Sequence, residues 1–194
     1  MLSVAQCRRL IASLSALLVG SAFVASVPTP RQNAKRDLIV FVGKRLSVKK
    51  QATEAGLYSM DEKFEARYRV LQLVFGRYES AEITFTVYDH YGIPPFAQYE
   101  TALMFVTRHE GRLYHEKYQF FPVHPTVDGR WASCGDPDLW EGRFHHGKLK
   151  PVPLKFAGQV TDETTGRPCT EGNYVEDLLR MKKNGVLKAR GWVF

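Results

Sequence analysis

Residues 64–92, FEARYRVLQLVFGRYESAEITFTVYDHYG, constrain the fold of this chain more than any other stretch. Phe64, Ala66, Tyr68 and Val70 alternate with Glu65, Arg67 and Arg69. Side chains of a strand point to opposite faces in turn, so this period of two predicts a half-buried strand. After Val70 the phase slips, and Leu71, Leu73 and Phe75 become the apolar positions. Such a slip predicts a β-bulge, or a strand buried on both faces from there on. Residues 76–80 read as a turn. Alternation then resumes, with Ile83, Phe85 and Val87 on one face and Thr84 and Thr86 on the other. The simplest arrangement is an antiparallel hairpin.

The same residues carry a family resemblance. Ala66, Tyr68, Val70, Leu71 and Gly76, followed by Ile83, Phe85 and Val87, resemble the central hairpin of the netrin-like modules. Those modules include the tissue inhibitors of metalloproteinases. The resemblance spans about residues 37–106 and consists of strand pattern. It implies an OB-fold-like barrel of five strands with helices packed at one side. The inhibitors begin with a Cys-x-Cys pair that chelates the protease metal. This chain has no such pair, so the resemblance implies no metalloproteinase inhibition.

The remaining segments fit a mainly β chain. Residues 37–48 hold the apolar run LIVFVG and predict a first strand, with Gly43 marking a bulge or bend. Residues 99–108 predict a strand buried on both faces. The HEGR sequence at 109–112 predicts a hairpin turn, and residues 113–121 its partner, with His115 on a mainly polar face. Residues 149–156 alternate, but Pro151 and Pro153 limit them to an edge strand. Residues 174–183 predict a short helix capped by Asn173, with Glu176 and Asp177 in the first turn and Lys182 and Lys183 in the last. Asn184-Gly185 is its stop signal, and residues 186–194 read as a final strand. The expected fold is a small OB-like antiparallel barrel or sandwich with one short C-terminal helix. Twelve Phe, nine Tyr and three Trp suit such a core.

The first 26 residues stand apart. Arg8 and Arg9 precede an uncharged apolar run, and Val24-Ala25-Ser26 offers small residues for cleavage. This predicts a signal peptide over 1–26, with an uncleaved anchor as the alternative. Residues 27–36 form a polar lead-in, and 37–194 a single β-rich domain. Export to the periplasm or outside the cell follows, or an anchored domain outside the cytoplasm. Beyond Cys7, the chain holds Cys134 and Cys169. In an oxidising compartment this pair predicts a disulfide. Neither belongs to a Cys-x-x-Cys pair, which disfavours zinc.

No Gly-rich phosphate loop, Gly-x-Ser-x-Gly elbow or His-Glu-x-x-His helix is present. No cofactor is expected. The net charge of +7 suits an anionic envelope component or a protein partner. Lys44, Arg45, Lys49 and Lys50 lack interleaved aromatics, so nucleic acid is not expected. Asp89, His90 and Tyr91 fall where Gly92, Pro94 and Pro95 force a turn. With Trp131 and Trp140 they form a candidate binding surface. His145 and His146 with Asp136 or Asp138 form a metal set on paper, at a spacing that matches no known motif. The primary expectation is a non-enzymatic exported domain that binds a partner. The alternative from another class is a small metal- or His-dependent hydrolase. It would use the loop at 122–147 and requires at least three of His90, His124, His145, His146 and the nearby acids to meet in one concave pocket.

Overall fold

The computed structural model describes residues 37–52, 60–137, 149–163 and 165–194. The predicted signal or anchor over 1–26 and the lead-in over 27–36 lie outside the described residues. Five long strands carry the alternating segments: β1 (Asp37–Lys50), β2 (Glu62–Phe75), β3 (Glu82–Asp89), β4 (Thr101–His109) and β5 (Arg112–Pro122). They close into a barrel in the order β1-β2-β3-β5-β4. Every neighbouring pair is antiparallel except β3 and β5, which run parallel and meet at one bridge, Thr86 to Tyr114. The chain is mainly β, and its barrel is OB-like.

Four short strands form a second sheet in the order β6-β7-β9-β8. They are β6 (His124–Pro125), β7 (Trp131–Cys134), β8 (Val152–Pro153) and β9 (Glu171–Tyr174). Cys134 and Cys169 are disulfide-bonded, with Cα atoms 5.9 Å apart. Helix α1 (Val175–Asn184) follows β9, and a single-turn helix, α2 (Val186–Ala189), follows α1. Among the described residues no helix is long and apolar enough to cross a membrane.

Two cores share β1. Ile39 and Phe41 point into the barrel against Phe64, Tyr68, Phe85 and Met104. Leu38, Val40 and Val42 point outward against Val175, Leu178 and Leu187 of the helices. Burial on both faces is why this strand lacks polar alternation. Each such large side chain contributes about 1.5–3 kcal/mol by leaving water. Phe96, from the 3₁₀ turn Pro95–Gln98, plugs the barrel interior edge-on to Tyr68 and Phe120.

The predicted bulges are present. The β1–β2 register shifts between Val42 and Gly43, where the β2 partner moves from Gln72 to Val70 and skips Leu71. The apolar positions beyond that slip are not buried on both faces, however. Leu71 and Leu73 are exposed, while Val74 and Phe75 pack toward the helices. The hairpin turn is Glu110-Gly111, both with positive φ, the geometry that Gly adopts without strain.

The C-terminal region departs from expectation in two places. Residues 186–194 do not form a strand. After Gly185, α2 adds one more turn, which places Leu187 in the helix-side core. The chain then folds back through a Trp192 N–H bond to the Leu187 carbonyl (3.0 Å). Asn173 does not cap α1. It lies in β9, and its buried side chain faces the Gly135 carbonyl at 3.5 Å. The helix starts without a side-chain cap, after an extended Tyr174.

Tyr68 lies fully inside the barrel, and its hydroxyl has no hydrogen-bond partner among the described residues. Burial pushes its pKa above the ordinary tyrosine range. An unsatisfied buried hydroxyl costs about 1–3 kcal/mol. Tyr68→Phe keeps the ring contacts with Phe85 and Phe96 and removes that cost. Its urea unfolding midpoint is therefore expected to rise, by about 1 kcal/mol of stability. A fall in the midpoint would mean that the hydroxyl is satisfied in solution.

Candidate binding surface

The site lies where the β3 end meets the parallel seam with β5. Asp89 is buried, and its carboxylate accepts the Tyr91 backbone N–H at 2.9 Å. This side-chain turn projects the next two residues outward. His90 Nδ1 lies 2.8 Å from the Met60 carbonyl and 3.6 Å from Asp61 Oδ1. A neutral ring therefore donates from Nδ1 to Met60. Asp61 Oδ2 also accepts from Lys117 Nζ at 2.7 Å, which raises the lysine pKa.

Lys117 reaches Asp61 because β5 bulges. Between pairs Met104–Phe120 and Val106–His115, β4 advances two residues and β5 five, by the register. Residues 116–119 loop out, with Tyr118 at φ 64°. The helices hold this loop in place. Lys182 Nζ donates to Gln119 Oε1 at 2.6 Å. Arg190 donates to Glu116 Oε2 at 3.0 Å and to the Lys117 carbonyl at 2.9 Å. Lys182 is buried, and burial lowers its pKa to about 7.

The result is a tyrosine-rich surface across the seam. Tyr88 and Tyr114 stack with planes 17° apart at 6.5 Å between centroids, and Tyr91 and Tyr118 are tilted by 34° at 6.5 Å. Tyr91 is 85% exposed, Met60 of the same depression 81%, and Ile93, two residues further along the turn, 75%. Met60, Asp61, His90, Tyr91, Lys117 and Tyr118 line a shallow depression of about 450 Å³. Such side chains offer apolar area with hydroxyl hydrogen bonding at low entropic cost.

The sequence-derived candidates divide. His90 and Tyr91 belong to this surface, and Asp89 positions them from below. Trp131 does not join them. It packs against the helix-side core and lines a separate groove with Leu71, Tyr99 and His124. His90 and His124 line different depressions that share no residue. Asp136 is exposed. Asp138, Trp140, His145 and His146 lie outside the described residues. Among the described residues no three His, Cys, Asp or Glu side chains group to hold a metal ion. Lys117, Tyr114 and Tyr118 were not foreseen at the site, because strand alternation gives no sign of the bulge that presents them.

His115 is not an exposed strand residue. Its ring packs against Phe85 and Phe96, and its Nε2–H faces the Gln119 carbonyl at 3.0 Å. Burial lowers its pKa to about 4, with Arg190 and Lys182 acting in the same direction. An unfolded histidine titrates near ~6.5, so between these values the unfolded chain binds more protons. This contribution to stability is full above the unfolded value and is lost as pH falls toward about 4. The loss is about 2–3 kcal/mol, after discounting for partial exposure. His115→Gln keeps a donor for Gln119 and should flatten the stability curve across that window. Equal slopes in the two proteins would show that His115 is protonated in the fold.

No family model matches the chain, and neither a curated protein nor a solved structure matches it.

Proposed function

We propose that the chain is an exported, non-enzymatic domain that binds a protein or anionic component of the cell envelope or extracellular space. The observation that carries this is the pair of tyrosine couples on the β3–β5 seam, with Tyr91, Met60 and Ile93 highly exposed beside them. Exposed tyrosines grouped with Met and Ile are the chemistry of a recognition surface. The signal-like run before residue 27 and the Cys134–Cys169 bond support export. An uncleaved anchor would leave the same surface outside the membrane. The closed five-stranded barrel is compatible with the netrin-like resemblance, which implies such a barrel.

The test places a photo-crosslinking residue at position 91 and, as control, at exposed position 155 beside the second sheet. In cells, position 91 should give a discrete adduct that position 155 does not. Tyr91→Ala and Tyr118→Ala should each weaken the captured interaction by about 1–2 kcal/mol, roughly tenfold, without lowering the unfolding midpoint. Equal adducts from both positions, or metal-dependent turnover by the purified domain, would overturn the reading.

A further inference from the structure

Another cavity, of about 470 Å³, lies where the start of β1, the ends of β2 and β4, and residues 192–194 come together. That volume is in the range of small-molecule sites. Its walls are aromatic and cationic. Phe75 meets Phe194 edge-on at 6.1 Å, and Trp192 stacks on Phe194 at 6.4 Å with planes 17° apart. Lys183 Nζ lies 3.5 Å from the Phe75 centroid and 4.8 Å from that of Phe194, which holds these rings together from behind.

Two guanidinium groups complete the lining. Arg77 enters from the turn after β2, and Arg108 from the end of β4. Both are exposed, and neither makes an ion pair or side-chain hydrogen bond among the described residues. The lone acidic side chain in the lining is that of Asp37, the register neighbour of Arg108. The two stand beside each other on paired strands without forming a salt bridge. Arg67 pairs with Glu82 and Lys44 with Glu100 elsewhere on the barrel; what sets Arg77 and Arg108 apart is that both line one concave aromatic site.

We propose that this cavity binds an aromatic anion, its ring against Phe75, Trp192 and Phe194 and its carboxylate, sulfonate or phosphate between Arg77 and Arg108. Guanidinium forks match such oxyanions in geometry and charge. The aromatic lining explains why a flat ring is preferred to a bare anion. This site shares no residue with the tyrosine surface at the β3–β5 seam.

The test is a nuclear magnetic resonance titration of the full chain, read at the Trp192 indole N–H. Phenyl phosphate should shift this resonance saturably. Inorganic phosphate and benzyl alcohol, which each lack one half of the recognition, should bind at least tenfold more weakly. The Arg77→Gln/Arg108→Gln protein should also lose at least tenfold, with unchanged dispersion elsewhere in its spectrum. Added salt should weaken phenyl phosphate binding in the parent protein, a readout independent of variant folding. No saturable Trp192 shift, or equal affinity for inorganic phosphate or for the double variant, would overturn the proposal.

Discussion

Gly172→Ala is expected to destabilise the protein by about 3–4 kcal/mol, near the upper end of single substitutions. Gly172 sits in β9, paired with Cys134 of β7 on one side and Val152 of β8 on the other. A Cβ there would lie 1.8 Å from the Ser133 carbonyl oxygen and 3.3 Å from Leu154 Cδ1. No side-chain rotation relieves a clash with backbone. Either β9 withdraws from β7, breaking the ladder, or the Ser133 peptide turns and loses its place in it. Gly129→Ala is the internal control. Its φ of 80° is strained for alanine, but no atom lies within 4 Å of the new Cβ. It should lose only about 1 kcal/mol. Urea unfolding of both proteins measures the difference. A loss below 1 kcal/mol at Gly172 would show that β7 and β9 are farther apart in solution.

Removal of the Cys134–Cys169 bond should be about as damaging. The residues are 35 apart in sequence, and the bond ties the end of β7 to the segment entering β9. Cross-linking a loop of that length restricts the unfolded chain by about 4 kcal/mol in the chain-entropy description. Among the described residues between the two cysteines, β8 is the one regular element. Short backbone contacts, such as Thr161 with Pro168 and Leu154 N–H with the Thr170 carbonyl (2.9 Å), hold the segment otherwise. The Cys134→Ala/Cys169→Ala protein should therefore unfold at markedly lower urea, and reductant should shift the parent to match it. A shift under 1 kcal/mol would mean that the barrel alone sets the midpoint. Both predictions act on the β7–β9 pair, so combining them should give less than their sum.

Much of the barrel is legible in the residues. Alternation in β2 and β3 gives their inner faces, Gly43 marks a bulge, and the doubly buried runs of β1 and β4 are continuous apolar segments. These are local signals read from neighbours in sequence. The bulge at 116–119 is not set by neighbours alone. Its residues continue a polar alternation, and distant partners, Asp61 more than fifty positions earlier and Lys182 and Arg190 more than sixty later, help hold it out of the ladder. That is why His115 looks exposed in sequence and is packed in the fold. Residues 186–194 fail for a similar reason. Val186, Trp192, Val193 and Phe194 have strand preferences, but burial of Leu187 against the β1 outer face favours another helical turn. At the site, the turn residues Asp89, His90 and Tyr91 are readable, while their partners across the seam depend on how the barrel closes.

That closure has a mechanical consequence. Four of the five junctions in the barrel wall are long antiparallel ladders, and the β3–β5 junction rests on one bridge. A hoop parts where it has fewest fasteners, so the cheapest breathing motion of this wall is a parting of β3 from β5. Tyr88 and Tyr91 stand on one lip of that opening, Tyr114 and Tyr118 on the other. A molecule laid across all four rings acts as a suture: it closes the wall's weakest line while it binds, and occupancy becomes rigidity of the whole cylinder.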